Sequence, residues 1–162
     1  MSKKRKKEQL QIKTEFTPPP RECGDCTLCC HGVVSAEALG YHFYPGQPCH
    51  FMGTKGCTVY KDRPPVCVDF KCAWLKDHQL PEWFRPDLTG FLARWMDWGD
   101  APDIKPYLHI ISTKEAVDGK YFRWLEISNW NVAINSTIAP VYLGSDDFKN
   151  WMLENRYIPR GG

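Results

Sequence analysis

The residues best equipped for chemistry are eight cysteines confined to one short stretch: Cys23, Cys26, Cys29, Cys30, Cys49, Cys57, Cys67 and Cys72. None occurs in the rest of the chain. Thiolates are soft ligands that suit zinc and iron–sulfur clusters. Two residues between cysteines allow a tight turn to aim both sulfurs at one centre. All eight are therefore candidate metal ligands. The competing reading is a disulfide framework, since eight is even. No apolar run follows the basic start, so no secretory signal is evident. Nor does any segment approach the ~18 apolar residues of a membrane span. The expectation is a cytoplasmic, reducing location, where clustered cysteines serve metals more often than disulfides.

Eight thiolates could fill two four-cysteine centres, or one centre with four spare. Adjacent side chains diverge in most backbone conformations. Cys29 and Cys30 are thus expected to serve different centres, unless one is a buried thiol. The run Cys23–Cys26–Cys29 matches the start of a bacterial ferredoxin pattern, C-x2-C-x2-C. That pattern continues x3-C-P, whereas Cys30 and His31 follow here at once. The C-x3-C-x2-C arrangement of radical enzymes is absent. The later pairs, C-x7-C and C-x4-C, are not zinc-finger knuckles either. Three close thiolates plus a remote one favour a [4Fe–4S] cluster, with Zn2+ the alternative. His31 and His50 each follow a cysteine and could substitute as ligands, although hydrogen bonding beside the thiolates is the favoured role. His42, His78 and His109 have no motif around them and read as ordinary surface or core residues.

The order Cys23-Gly24-Asp25-Cys26-Thr27-Leu28-Cys29-Cys30-His31-Gly32, then Gly56-Cys57-Thr58-Val59-Tyr60, then Asp62-Arg63-Pro64-Pro65-Val66-Cys67 resembles the CxxCxxCC cysteine-cluster family, the YkgJ-like proteins described as zinc- or iron-chelating. The likeness covers about residues 23–75. It implies chelation of iron or zinc by the cysteines, and no settled activity. Some relatives are called iron–sulfur oxidoreductases. Others carry the box beside an enzyme that methylates flagellin lysines, for which this chain has no room. The paired prolines make a rigid approach to Cys67. Arg63 could donate to carbonyls or offset the charge of bound thiolates.

The elements that must position these residues fall into three zones. Residues 1–22 form a basic arm, net +4, ending in three prolines that favour extended chain. A solvated tail is its favoured reading, ahead of nucleic-acid contact by Lys3–Lys7. The remaining 140 residues carry −2, so the folded body is no basic nucleic-acid platform. Residues 23–80 are rich in glycine and proline and poor in core residues. They read as loops and short helices folded around metal, including a helix over Ala36–Leu39 capped by Ser35 and another over about 68–76. Residues 81–162 hold six of the seven tryptophans. There, Tyr107–Thr113 and Tyr121–Ser128 read as strands joined across Asp118-Gly119. Val132–Tyr142 is a third, weaker strand. A C-terminal helix begins at Ser145, with Phe148, Trp151 and Met152 as its apolar stripe.

The fold class expected is α+β: a metal-stapled half (23–80) packed on a small antiparallel sheet with a C-terminal helix (81–162), the two forming one domain. Functionally, the residues point to an iron–sulfur protein, with electron transfer as its role. The alternative is a zinc- or cluster-stapled assembly protein whose aromatic C-terminal half binds a protein partner. No P-loop, GxGxxG, GxSxG or HExxH motif supports an enzyme. Any activity would be of iron–sulfur oxidoreductase type.

Overall fold

The computed structural model describes residues 18–98 and 105–155. The cationic segment Lys3–Lys7 lies outside the described residues. The architecture is mixed α and β. Its centre is a four-stranded sheet in the order β5-β6-β7-β8, made of Phe91–Met96, Tyr107–Ser112, Val132–Asn135 and Val141–Leu143. Two small hairpins precede it: β1 (Ala36–Ala38) with β2 (Tyr41–Phe43), and β3 (Met52–Gly53) with β4 (Gly56–Cys57). Among the described residues there are five α-helices: α1 (Pro65–Asp69), α2 (Ala73–Lys76), α3 (Pro86–Thr89), α4 (Gly119–Ile127) and α5 (Asp146–Asn155).

The sheet is not antiparallel throughout, as the sequence suggested. β6 and β7 run parallel, with Leu108 opposite Val132. Parallel neighbours need a crossover, usually a helix. That crossover is α4, which occupies the segment Tyr121–Ser128 expected as a strand. The aromatic, β-favouring composition of Tyr121-Phe122-Arg123-Trp124 is overridden by a local start signal and by packing. Asp118 caps the helix, its carboxylate accepting from the Lys120 N–H at 3.0 Å. Leu125 is then buried, and Tyr121, Phe122 and Trp124 pack on the same core. The central strand β6 is buried along almost its whole length, as a strand covered on both faces must be.

Side chains alternate across the sheet. Phe91 and Trp95 face α4: Phe91 meets Tyr121 edge-on, while Trp95 and Trp124 both contact Trp130. On the opposite face Tyr107 packs against Phe148 of α5. The helix α5 starts as expected, with the Ser145 hydroxyl accepting from the Phe148 N–H and with Phe148 and Met152 buried. Leu92 and Arg94 share that face and line the cavity that holds the cysteines.

The cysteine half departs from expectation in two places. Ala36–Leu39 is no helix but one arm of the β1–β2 hairpin. Leu39 and Gly40 both have positive φ, 52° and 85°, which is the demand of a two-residue hairpin turn. The expected helix over about 68–76 divides into α1 and α2, separated at Phe70–Cys72. One core cluster runs through both halves, joining Val33, Val34, Phe43 and Trp74 to Phe91, Leu108 and Ile134.

Candidate metal centre

All eight cysteines line a single cavity of about 350 Å³. None is in a disulfide; Cys72 is buried and the other seven are half-buried. The first four are placed by a turn and a single 3₁₀ twist. Gly24, with φ +52°, turns the chain so that the Cys26 N–H reaches the Cys23 carbonyl at 2.9 Å. Leu28–His31 then forms one 3₁₀ turn, which carries Cys29 and Cys30. Their sulfurs lie 3.9 Å apart.

The turn ends at Gly32, where the backbone of the next loop presses so close that no side chain fits. A Cβ on Gly32 would stand 2.1 Å from the Tyr44 carbonyl oxygen. This contact brings the next cysteine home, because the Cys49 N–H donates to the Cys30 carbonyl at 2.8 Å. The Met52 N–H then donates to Cys49, and Met52 pairs with Cys57 across β3–β4. Cys67 sits in α1, introduced by Pro64 and Pro65. Cys72 is the residue before α2.

Two arginines hold this ring of thiols together. Arg21 falls in the basic arm that the sequence marks as a solvated tail, yet its side chain is only 8% exposed. Its guanidinium donates to the carbonyls of Trp74 (2.7 Å), Asp77 (3.0 Å) and Leu80 (2.6 Å), pairs with Glu82, and lies over the Trp74 ring. It thereby ties the segment entering Cys23 to the helix leaving Cys72. No sequence signal marks it, since its partners lie 53 to 61 residues away. Arg63 donates to the Tyr60 carbonyl and stacks on the Tyr60 ring at 3.8 Å. Its charge favours the thiolate forms of Cys30 and Cys67, and the expected donation to a carbonyl is present. A third arginine, Arg94, lines the cavity from β5 and donates to His109 Nδ1 at 3.2 Å. It is the lone charge in an otherwise apolar strand, Phe91-Leu92-Ala93-Arg94-Trp95-Met96, which is a signal that sequence reading passed over.

The thiols are electrostatically unequal. The contact between the Cys29 and Cys30 sulfurs raises Cys29 and lowers Cys30 to about 7, with Arg63 adding to the fall. Burial raises Cys26, Cys49, Cys67 and Cys72. Backbone hydrogen bonds work the other way: from Leu28 and Asp87 to Cys26, from Phe51 to Cys49, and from Trp74 and Leu75 to Cys72. Such N–H donors are the usual means of supporting a ligating thiolate.

His31 and His50 do not line the cavity. Both are exposed, and His50 stacks flat on Tyr41 at 4.0 Å. Among the described residues, no group of three or more His, Cys, Asp or Glu side chains is placed to hold a single metal ion.

Comparison with protein-family models, with curated proteins and with solved structures finds no match to this chain. The likeness to the CxxCxxCC proteins thus rests on the motif residues themselves. Among the described residues, no helix is long and apolar enough to cross a membrane.

Proposed function

We propose that the cysteine-lined cavity holds an iron–sulfur cluster of the [4Fe–4S] type and that the protein transfers electrons. The observation that carries the reading is the convergence on one cavity of eight thiols, none in a disulfide, from separate turns, loops, helices and a strand. A cavity that collected thiols only to bury them would leave weakly polar groups without partners. Here, instead, backbone N–H groups donate to Cys26, Cys49 and Cys72, and the Arg63 charge favours the Cys30 thiolate.

Three close thiolates, Cys23, Cys26 and Cys29, with others more distant in sequence suit a [4Fe–4S] cluster, in which each thiolate binds its own iron. Apolar side chains of Val34, Phe43, Phe51 and Leu92 line the space. When bound, the cluster would supply one-electron redox chemistry. The chain's own groups would hold it, exclude water and set its charge environment through Arg63 and Arg94.

A second reading is a structural staple without redox function. It is favoured by the packing of Cys29, Cys49, Cys67 and Cys72 against the main hydrophobic core, where losing a metal would loosen the fold itself. The test is anaerobic purification followed by a visible spectrum, iron, zinc and acid-labile sulfide assays, and titration with dithionite. A brown protein that bleaches reversibly is expected. A brown protein that loses its fold before it accepts an electron would favour the staple. A colourless protein carrying zinc would remove the iron–sulfur reading.

A further inference from the structure

We propose that the cavity is two centres rather than one, divided between Cys29 and Cys30: one held by Cys23, Cys26, Cys29 and Cys72, the other by Cys30, Cys49, Cys57 and Cys67. This deepens the metal-centre reading and rests on it. Eight thiols are twice what one four-coordinate centre takes, and all eight face the same space. The Leu28–His31 turn sets Cys29 and Cys30 side by side, with their sulfurs converging to 3.9 Å rather than diverging, and the two groups meet at this pair.

The backbone connections sort the remaining cysteines in the same way. Cys23 and Cys26 are joined by one turn, with Cys29 three residues on. Arg21, two residues before Cys23, is bonded to the carbonyl of Trp74, two residues after Cys72, which brings Cys72 to this group. On the other side the Cys49 N–H is bonded to Cys30, and Cys57 is tied to Cys49 through Met52. The charge of Arg63, which lines the cavity with them, acts on both Cys30 and Cys67.

Charge interactions between thiols follow the same division. Cys72 feels Cys23 and Cys26. Cys49 feels Cys30 and Cys57, and Cys67 feels Cys30, Cys49 and Cys57. Cys29 feels Cys23, Cys26 and, across the seam, Cys30. The two groups meet at Cys29 and Cys30.

The test compares the full-length protein with Cys23→Ser, Cys57→Ser and the double variant, all purified anaerobically. Metal and sulfide per chain are measured, and the apo-protein is titrated with Co2+ alone as a probe of tetrathiolate sites. The expected result is two centres' worth in the parent and half in each single variant. The double variant should hold none, and the parent should show a two-equivalent Co2+ endpoint. Near-UV circular dichroism from the tryptophans reports whether each variant keeps its fold. The Co2+ endpoint of the parent decides the matter even where a variant does not fold. One equivalent of metal in the parent would overturn the division, as would loss of all metal from a folded single variant. Two zincs per chain would keep the division and sink the iron–sulfur reading. One four-iron cluster would do the reverse.

Discussion

Replacing His109 with glutamine should flatten the acid limb of this protein's stability curve. His109 lies wholly buried in the central strand β6, accepting from Arg94 at Nδ1, while its Nε2 has no hydrogen-bond partner. Burial first, and the Arg94 charge second, lower its pKa from 6.5 to about 3. Tyr107, whose ring centre is 6.4 Å away, brings no opposite charge. A histidine held neutral in the fold takes up its proton only on unfolding across this window. The unfolded chain then binds more protons, so stability rises with pH and is lost on acidification. At about 1.4 kcal/mol per pKa unit, the full window is worth on the order of 5 kcal/mol, of which about 2 kcal/mol falls between pH 7 and pH 5. Glutamine keeps an acceptor for Arg94 and does not titrate. Urea unfolding followed by tryptophan fluorescence at both pH values would measure the difference. Acid expulsion of metal affects parent and variant alike, so the comparison isolates the histidine. Parallel losses in His109→Gln and the parent would refute the assignment.

Three further predictions follow from the geometry. Gly32→Ala places a Cβ against the Tyr44 carbonyl at positive φ and should prevent folding or remove several kcal/mol, whereas Gly24→Ala, equally left-handed but with open space, should cost only about 1–2 kcal/mol by thermal unfolding; equal losses would show that the Tyr44 contact is not limiting. Arg21→Ala leaves three carbonyls without their charged donor and should cost about 3 kcal/mol, with Arg21→Lys rescuing only in part because an ammonium lacks the fork; a change below about 0.5 kcal/mol in urea unfolding would contradict that role. Asp118→Ala removes the cap of α4 and should cost about 1 kcal/mol with reduced helical circular dichroism, whereas a hairpin turn at Asp118-Gly119 would leave the helix signal unchanged.

The clustering of the cysteines along the sequence matched their gathering at one cavity, and the adjacent Cys29 and Cys30 already raised the question of two centres. The spacing could not reveal that Ala36–Leu39 becomes a hairpin arm, because that depends on Leu39 accepting a left-handed φ. In the second half, Ser145 and its apolar stripe marked α5 correctly, and Tyr107–Thr113 nearly matched β6. Alternation misled at Tyr121–Ser128, where aromatic residues pack as a helix face because the neighbouring strands run parallel. Strand β5 went unassigned although Phe91–Met96 is almost wholly apolar. Its interruption by Arg94 makes sense only once His109 and the cysteine cavity stand beside it. Arg21 illustrates the general limit: a contact spanning more than fifty residues leaves no trace in local pattern.

The most direct measurement is native mass spectrometry of the full-length protein isolated without oxygen, which weighs the chain with whatever its thiols hold. The expected spectrum shows the chain mass plus two [4Fe–4S] increments, lost stepwise on oxidation. A spectrum containing only the metal-free chain, under conditions where a known iron–sulfur protein keeps its cluster, would contradict metal binding by these eight cysteines.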